Sequence, residues 1–223
     1  AAGLVKTGIG MPAFFNSDLN IQRWLNYGAT LEEARNHCII GCVETGLSHR
    51  QNLMRVVSIN MAKFLELALN DGQDPLTGKQ VGSQTGKAET FHSYNELCAA
   101  VKKQLQYHLP LRYQHEQTAH AFHAQLLPRP FTSALVDDCI KNGKDLTVGG
   151  SRYSEDGTTP VGTVDLTDTL AAIKKLVFEE KLITMKELIQ ALKANFEGYE
   201  EIHKLLLSAP KYGNDQELSL IHI

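Results

Sequence analysis

The sequence predicts an α/β chain that is mostly helix, with two or three short strands. Three observations carry that expectation. Capping pairs Thr30/Glu33, Ser93/Glu96 and Thr184/Glu187 each open a segment of helical spacing. Only two short apolar runs, 38–43 and 161–164, read as strands. Hydrophobic residues make up 43% and charged residues 21% of the 223 positions. That balance excludes disorder, and a chain of about one domain, or two small ones, buries roughly two thirds of its unfolded surface. Lys+Arg 22 against Asp+Glu 25 gives a net charge of −3, which argues against a dedicated nucleic-acid binder. No apolar run approaches the ~18 residues of a membrane helix, and no signal peptide opens the chain, so no membrane partner is expected.

Along the chain, Ser17 caps a helix over 18–26 that Gly28 stops, and Thr30 opens a short second helix. Cys38-Ile39-Ile40-Gly41-Cys42-Val43 then reads as a buried strand running into a loop at Glu44-Thr45-Gly46. Ile59, Met61, Ala62, Leu65 and Leu69 fit a helix over 58–70, broken by Asn70-Asp71-Gly72-Gln73-Asp74-Pro75. Residues 71–90 carry four glycines and read as a loop. A long helix runs from Ser93 to Tyr107, is interrupted at Pro110, and resumes to Leu127 before Pro128 and Pro130. Helix returns over 133–141, 165–178, 185–196 and 200–208, with loops at Gly143 and Gly149-Gly150 and a strand at 161–164. Strands this few cannot close a sheet or barrel unaided, which points to a chain that is part of a larger fold.

The sharpest chemical element is Gly41-Cys42-Val43-Glu44-Thr45-Gly46. In extended backbone, residues i and i+2 point the same way, so Cys42 and Glu44 would face one cavity. A carboxylate raises the pKa of a neighbouring thiol and so works against thiolate nucleophilicity. The pair makes more sense if the sulfur reacts neutral, by hydrogen-atom transfer, while the carboxylate handles a proton. From the residues alone, a buried inert cysteine beside a solvated glutamate is the competing reading. Cys38, Cys98 and Cys139 form no CxxC pair and read as reduced, mostly buried thiols of a cytosolic protein. The cluster His115, His120 and His123 is the rival site, that of a helical metal-dependent hydrolase. His115 and His120 lie about 140° apart around a helix, however, and only His120 and His123 share a face. Asp137 and Asp138 are adjacent and do not share a helix face, and neither GxxxxGK[ST] nor GxGxxG occurs. A noncatalytic helical interaction module is the remaining alternative.

The segment Gly41-Cys42-Val43-Glu44 resembles the active-site loop of the glycyl radical enzymes, the pyruvate formate-lyase-like group. The similarity extends along the chain. It includes Phe14-Phe15-Asn16-Ser17-Asp18, Leu31-Glu32-Glu33-Ala34-Arg35, Asn70-Asp71-Gly72-Gln73-Asp74-Pro75 and Lys79-Gln80-Val81-Gly82. Further on it takes in Pro130-Phe131 with Asp137-Asp138-Cys139, Gly150-Ser151-Arg152-Tyr153, Phe178-Glu179-Glu180 and Ala209-Pro210-Lys211-Tyr212-Gly213-Asn214-Asp215.

The resemblance implies a ten-stranded α/β barrel with the reactive cysteine on a central loop, of which residues 1–216 would form part. It implies a thiyl radical on Cys42 and an acid/base role for Glu44, in the lyase and dehydratase branch marked by Cys-x-Glu. The reaction would be dehydration or C–N, C–S or C–O cleavage of a small hydroxylated substrate. Formate C-acetyltransferase-type members carry adjacent cysteines, and Gly41 stands where the first would be. The nearest neighbourhood by motif is choline trimethylamine-lyase and hydroxyproline dehydratase, although the region around Ser48-His49-Arg50-Gln51 and Val56-Val57-Ser58 carries neither the threonine–glycine–tyrosine segment of the choline branch nor the polar aspartate region of the glycerol-dehydratase branch, which leaves the substrate open.

No cofactor or metal is expected on this chain. The radical glycine belongs to an Arg-Val-x-Gly-Tyr-like motif that surrounds none of the 17 glycines, so it is expected on a C-terminal region beyond these residues. Residues 217–223 read as a non-native tail, and the chain as an internal piece, inactive alone. The implied partners are a radical S-adenosylmethionine activating enzyme and a second copy in a homodimer. The implied location is the cytoplasm or a bacterial microcompartment.

Overall fold

The computed structural model describes residues 2–8, 13–41 and 44–214. Cys42, Val43 and the expected tail at 217–223 lie outside them, so the boundary expected at 216 does too. In chain order the elements are α1 (Ala2–Val5), α2 (Ser17–Asn26), α3 (Leu31–Arg35), β1 (His37–Ile40), β2 (Glu44–Leu47), β3 (Gln51–Asn60) and α4 (Met61–Leu69). There follow α5 (Tyr94–Leu126), α6 (Pro130–Ala134), α7 (Cys139–Asn142), β4 (Tyr153–Val161), α8 (Thr163–Ile173), α9 (Met185–Lys193) and α10 (Glu200–Ser208). The described strands form two two-stranded sheets, β1 with β2 and β3 with β4, and no closed barrel. The chain divides into two units, residues 1–56 with 119–157 and residues 57–118 with 158–223.

The second unit is built on a helical core. Leu65 and Leu69 of α4, Leu97 of α5, Leu166, Leu170 and Ile173 of α8, and Leu188 and Ile189 of α9 are buried in one cluster. Their spacing is the helical one that the sequence displays. Asn60 rather than Ser58 starts α4, its Oδ1 accepting from the Lys63 N–H at 3.3 Å. The preceding residues go into β3, a strand that the helical reading of 58–70 absorbed. Thr184 opens α9 through both halves of its capping box. The helix expected over 165–178 starts at Thr163 and closes with a π-helical turn at Lys174–Glu179. Loop 71–90 is pinned by side chains: Asp71 Oδ1 accepts from the Thr85 and Gly86 N–H groups, each at 2.7 Å. Buried Gln104 brackets Ser83 at 2.9 and 2.7 Å.

The helix expected to break at Pro110 does not. α5 runs through it for 33 residues. An interior proline costs a helix about 3 kcal/mol, and buried side chains on both sides offset it. Leu97, Ala100 and Gln104 lie before it, and Glu116, ion-paired with Arg112, lies after it.

The first unit has a smaller core of Trp24, Ala29, Ala34 and Leu47, with Tyr153 packed against it. Trp24, Tyr27 and Tyr153 stand with ring centroids 5.7 to 6.3 Å apart, tilted or edge-on, the arrangement aromatic quadrupoles favour. Asn16, one residue before the expected Ser17, caps α2, and Thr30/Glu33 form the expected capping box.

Three further expectations are corrected, the first two in this unit. The strand expected over 38–43 is described only as far as β1, His37–Ile40, which pairs with β2 and is not fully buried: Ile39 and Ile40 are 39% and 36% exposed. The core packs on Leu47, at the end of β2 away from Glu44. The helix expected over 133–141 is two short pieces, because Asp138 adopts a left-handed φ of 73° while Arg152 holds its carboxylate. The strand expected over 161–164 ends at Val161. It begins at Tyr153, in a polar stretch whose composition resembles a loop, and Gly162 turns the chain into α8. Among the described residues no helix is long and apolar enough to cross a membrane.

Candidate active site

The hairpin carrying the Cys-x-Glu segment is specified locally. β1 and β2 pair antiparallel in the register His37↔Leu47, Cys38↔Gly46, Ile39↔Thr45 and Ile40↔Glu44. The tip is therefore residues 41–43, a three-residue connection. Gly41 has φ +62°, a conformation that glycine adopts at no steric cost. Glu44 is the first residue of β2, and its carboxylate folds over the tip: a Cβ at position 41 would lie 2.9 Å from Oε2. Close approach explains the glycine at 46 as well. A Cβ there would meet Ile40 Cδ1 at 2.0 Å and Gln51 Oε1 at 2.8 Å. Cys42 lies outside the described residues, and the structure places the Glu44 carboxylate against Gly41. Glu44 thus opens a paired strand, where a loop was expected.

Two polar networks anchor this hairpin. The first grips β2. From α2, Arg23 Nη1 donates to the Thr45 carbonyl at 3.1 Å and to Thr45 Oγ1 at 2.5 Å. Its Nη2 donates to both carboxylate oxygens of Glu155 on β4, at 2.7 and 2.9 Å. Gln51 Nε2 donates to the same carboxylate at 2.6 Å, and Gln51 Oε1 accepts from the Leu47 N–H at 2.9 Å.

The second network centres on Glu33, whose side chain is 8% exposed. Its Oε2 accepts from the Thr30 N–H at 2.9 Å and from the Tyr153 hydroxyl at 3.0 Å, and its Oε1 from Arg152 Nη1 at 2.7 Å. The Thr30 N–H, with Arg152 and Tyr153 behind it, outweighs burial and holds the carboxyl at about 2, from an ordinary 4.5. Arg152 Nε also donates to Asp138 at 2.9 Å, which lowers the Asp138 pKa. Burial first, then the Glu33 carboxylate, pushes the Tyr153 hydroxyl up. Arg50 Nε faces both Asp137 at 3.4 Å and Glu33 at 3.7 Å. α3 runs directly into β1, so this network fixes the hairpin's entrance as the first fixes its exit.

The other sequence candidates are not assembled into a site. Among the described residues no group of three or more His, Cys, Asp or Glu is placed to hold a metal ion, which removes the basis for a hydrolase built on His115, His120 and His123. Asp137 and Asp138 serve the ion network. Of the other cysteines, Cys139 is buried while Cys38 and Cys98 are half-buried free thiols, Cys38 Sγ lying 3.5 Å from the Gly46 carbonyl. Two cavities of about 520 and 470 Å³ lie in the second unit, and neither is lined by Glu44. The anchoring residues Arg23, Arg50, Arg152, Tyr153 and Glu155 went unrecognised as such in the sequence.

Known proteins are similar to this chain over nearly its whole length. The chain is 42% identical over 218 residues to trans-4-hydroxy-L-proline dehydratase from Clostridioides difficile, covering 97% of this chain and 28% of that protein. The crystal structure of hydroxyproline dehydratase from that organism, with substrate trans-4-hydroxy-L-proline bound, superposes with a TM-score of 0.90 at 41% identity, over 95% of this chain and 27% of that one. The glycerol-bound B12-independent glycerol dehydratase from Clostridium butyricum gives a TM-score of 0.87 at 37% identity, over 98% and 28%. The chain thus spans about a quarter of the length of the relatives it matches. A family model described as pyruvate formate lyase-like matches residues 1–219. With that match over nearly every residue, and with relatives more than 40% identical along almost the whole chain, the chain belongs to the pyruvate formate lyase-like family.

Proposed function

We propose that this chain is part of a glycyl radical enzyme that eliminates a leaving group from a small hydroxylated substrate, with Cys42 transferring a hydrogen atom and Glu44 a proton. The observation that carries this reading is the Glu44 carboxylate folded over the Gly41 turn, next to position 42, in a chain similar throughout to dehydratases of hydroxyproline and glycerol. The glycyl radical, on a segment beyond these residues, supplies the unpaired electron that makes the cysteine sulfur a hydrogen-atom acceptor. Cys42 Sγ takes a hydrogen atom from the carbon next to the one that bears the leaving group X, a carbon that itself carries a hydroxyl or an amine. Glu44 takes the proton from that hydroxyl or amine and passes it to X, and the C–X bond breaks with X leaving on the electron pair. The hydrogen atom then returns from Cys42 to the product. X is water in a dehydratase and an amine or sulfonate in the related lyases. The reading further implies a radical S-adenosylmethionine activating enzyme and a homodimer.

A formate C-acetyltransferase reaction needs a second cysteine at position 41. The left-handed backbone there, and Glu44 Oε2 2.9 Å from where its Cβ would stand, disfavour one. The test uses the full-length protein, activated anaerobically and offered small hydroxylated compounds including trans-4-hydroxy-L-proline and glycerol. Cys42→Ala should abolish turnover. Glu44→Gln should lower it by roughly 10²–10⁴, the usual worth of a positioned acid/base group, with the glycyl radical signal retained in electron paramagnetic resonance. Full turnover in Cys42→Ala would sink the reading.

A further inference from the structure

We propose that Arg23, locked by Glu155, is a positioning residue for Glu44. The inference rests on the elimination reading above. Successive strand residues face opposite sides, so the guanidinium grips Thr45 on the side of β2 away from the Glu44 side chain. One Arg23 nitrogen bonds both the carbonyl and the hydroxyl of Thr45, and the other bonds Glu155 bidentately. Neither bond set is free to drift. The Glu155 side chain is only 10% exposed and is held from the other side by Gln51, which in turn holds the Leu47 N–H. β2 is thereby fixed at its second and fourth residues, and the aim of its first follows.

Isolated surface ion pairs contribute little, but a bidentate pair built into a network is the exception. Arg23 also lies 4.8 Å from the Trp24 ring, which restrains its stem. A lysine cannot replace it, because one ammonium does not span both Thr45 and a carboxylate in fixed geometry. What makes this more than fold maintenance is adjacency. Thr45 is covalently next to the acid/base residue, so loosening it moves the Glu44 carboxylate against the Gly41 turn, and a misplacement of about 1 Å costs up to about 10²-fold in rate.

The experiment uses the full-length activated enzyme. Arg23→Met and Arg23→Lys should each lower kcat by roughly 10- to 100-fold. KM should stay within about twofold and the glycyl radical signal should be unchanged, since binding and activation do not pass through Thr45. Glu155→Gln should lower kcat in the same sense by less. The deciding measurement is a double-mutant cycle. If Arg23 acts through Glu44, then Arg23→Met placed on Glu44→Gln should cost less than about threefold more. Losses that multiply in the double variant, or an Arg23→Lys enzyme with normal kcat, would overturn the proposal. Should Arg23→Met fail to fold, Arg23→Lys and Glu155→Gln decide it by the same criteria. Normal turnover in Glu44→Gln alone would overturn the elimination reading and this proposal with it, whereas an impaired Glu44→Gln with a silent Arg23→Lys overturns the proposal alone.

Discussion

Replacing Glu33 by glutamine removes one charge and almost no volume, and its effect follows from the network around it. The carboxyl is held at about 2 against an ordinary 4.5. At about 1.4 kcal/mol per tenfold, that difference corresponds to about 3 kcal/mol of stabilisation. Breaking a buried pair from one side typically costs about 3–5 kcal/mol. The lower end applies here, because the Arg152 side chain is 40% exposed and keeps Asp138 as a second partner. Losing the carboxylate half of the capping box accounts for about 1 kcal/mol within that sum.

The same numbers fix the pH dependence. A carboxyl whose folded pKa lies below its unfolded one contributes fully above about pH 4.5 and loses that contribution as pH falls toward 2. Denaturant unfolding of the wild-type protein and Glu33→Gln should therefore differ by about 2–3 kcal/mol at pH 7. The gap should narrow steadily below about pH 4.5, as the wild type alone loses the term. A gap that stays constant down to pH 3 would refute the assignment of the charge as the stabilising element. No gap at pH 7 would refute the network's energetic role altogether.

Two further outcomes are expected from local geometry. Gly46→Ala places a Cβ 2.0 Å from Ile40 Cδ1 and 2.8 Å from Gln51 Oε1, so it should destabilise the hairpin by about 1–3 kcal/mol. Ile40→Ala should restore part of this, both read from denaturant midpoints. Thr184→Ala removes both halves of the α9 cap. It should cost about 1 kcal/mol with no change in turnover of the full-length enzyme.

What was legible in the sequence was what is decided locally. Thr30/Glu33 and Thr184/Glu187 cap the helices they were expected to cap, because the bonds involved close over three residues. α10 matches its expected range for the same reason of simple periodicity. The strands were harder. β4 runs through Ser154-Glu155-Asp156-Gly157-Thr158-Thr159-Pro160, a loop composition that becomes strand only by pairing with β3, about a hundred residues earlier. Pro110 was expected to break α5, and distant packing overrode it. The approach of Glu44 to Gly41 is as local as the caps, three residues apart along the chain. Arg23 and Glu155 could not be singled out, since their bond joins residues 132 apart.

The segments that carried the family resemblance acquire a physical explanation from the Glu33 network. Glu33 lies in the Leu31-Glu32-Glu33-Ala34-Arg35 stretch, Asp138 in Asp137-Asp138-Cys139, and Arg152 and Tyr153 in Gly150-Ser151-Arg152-Tyr153. These three stretches, separated by up to 120 residues, meet around one carboxylate. None of them is argued to touch substrate. Their shared task is to hold α3 where it enters β1, the strand that leads to Gly41. A buried carboxylate with two arginines and a tyrosine is expensive to assemble and fails badly if one member is lost. The site in this reading is therefore larger than the Cys-x-Glu pair. On the proposed function, the hairpin that bears Glu44 depends on this charge network at its root.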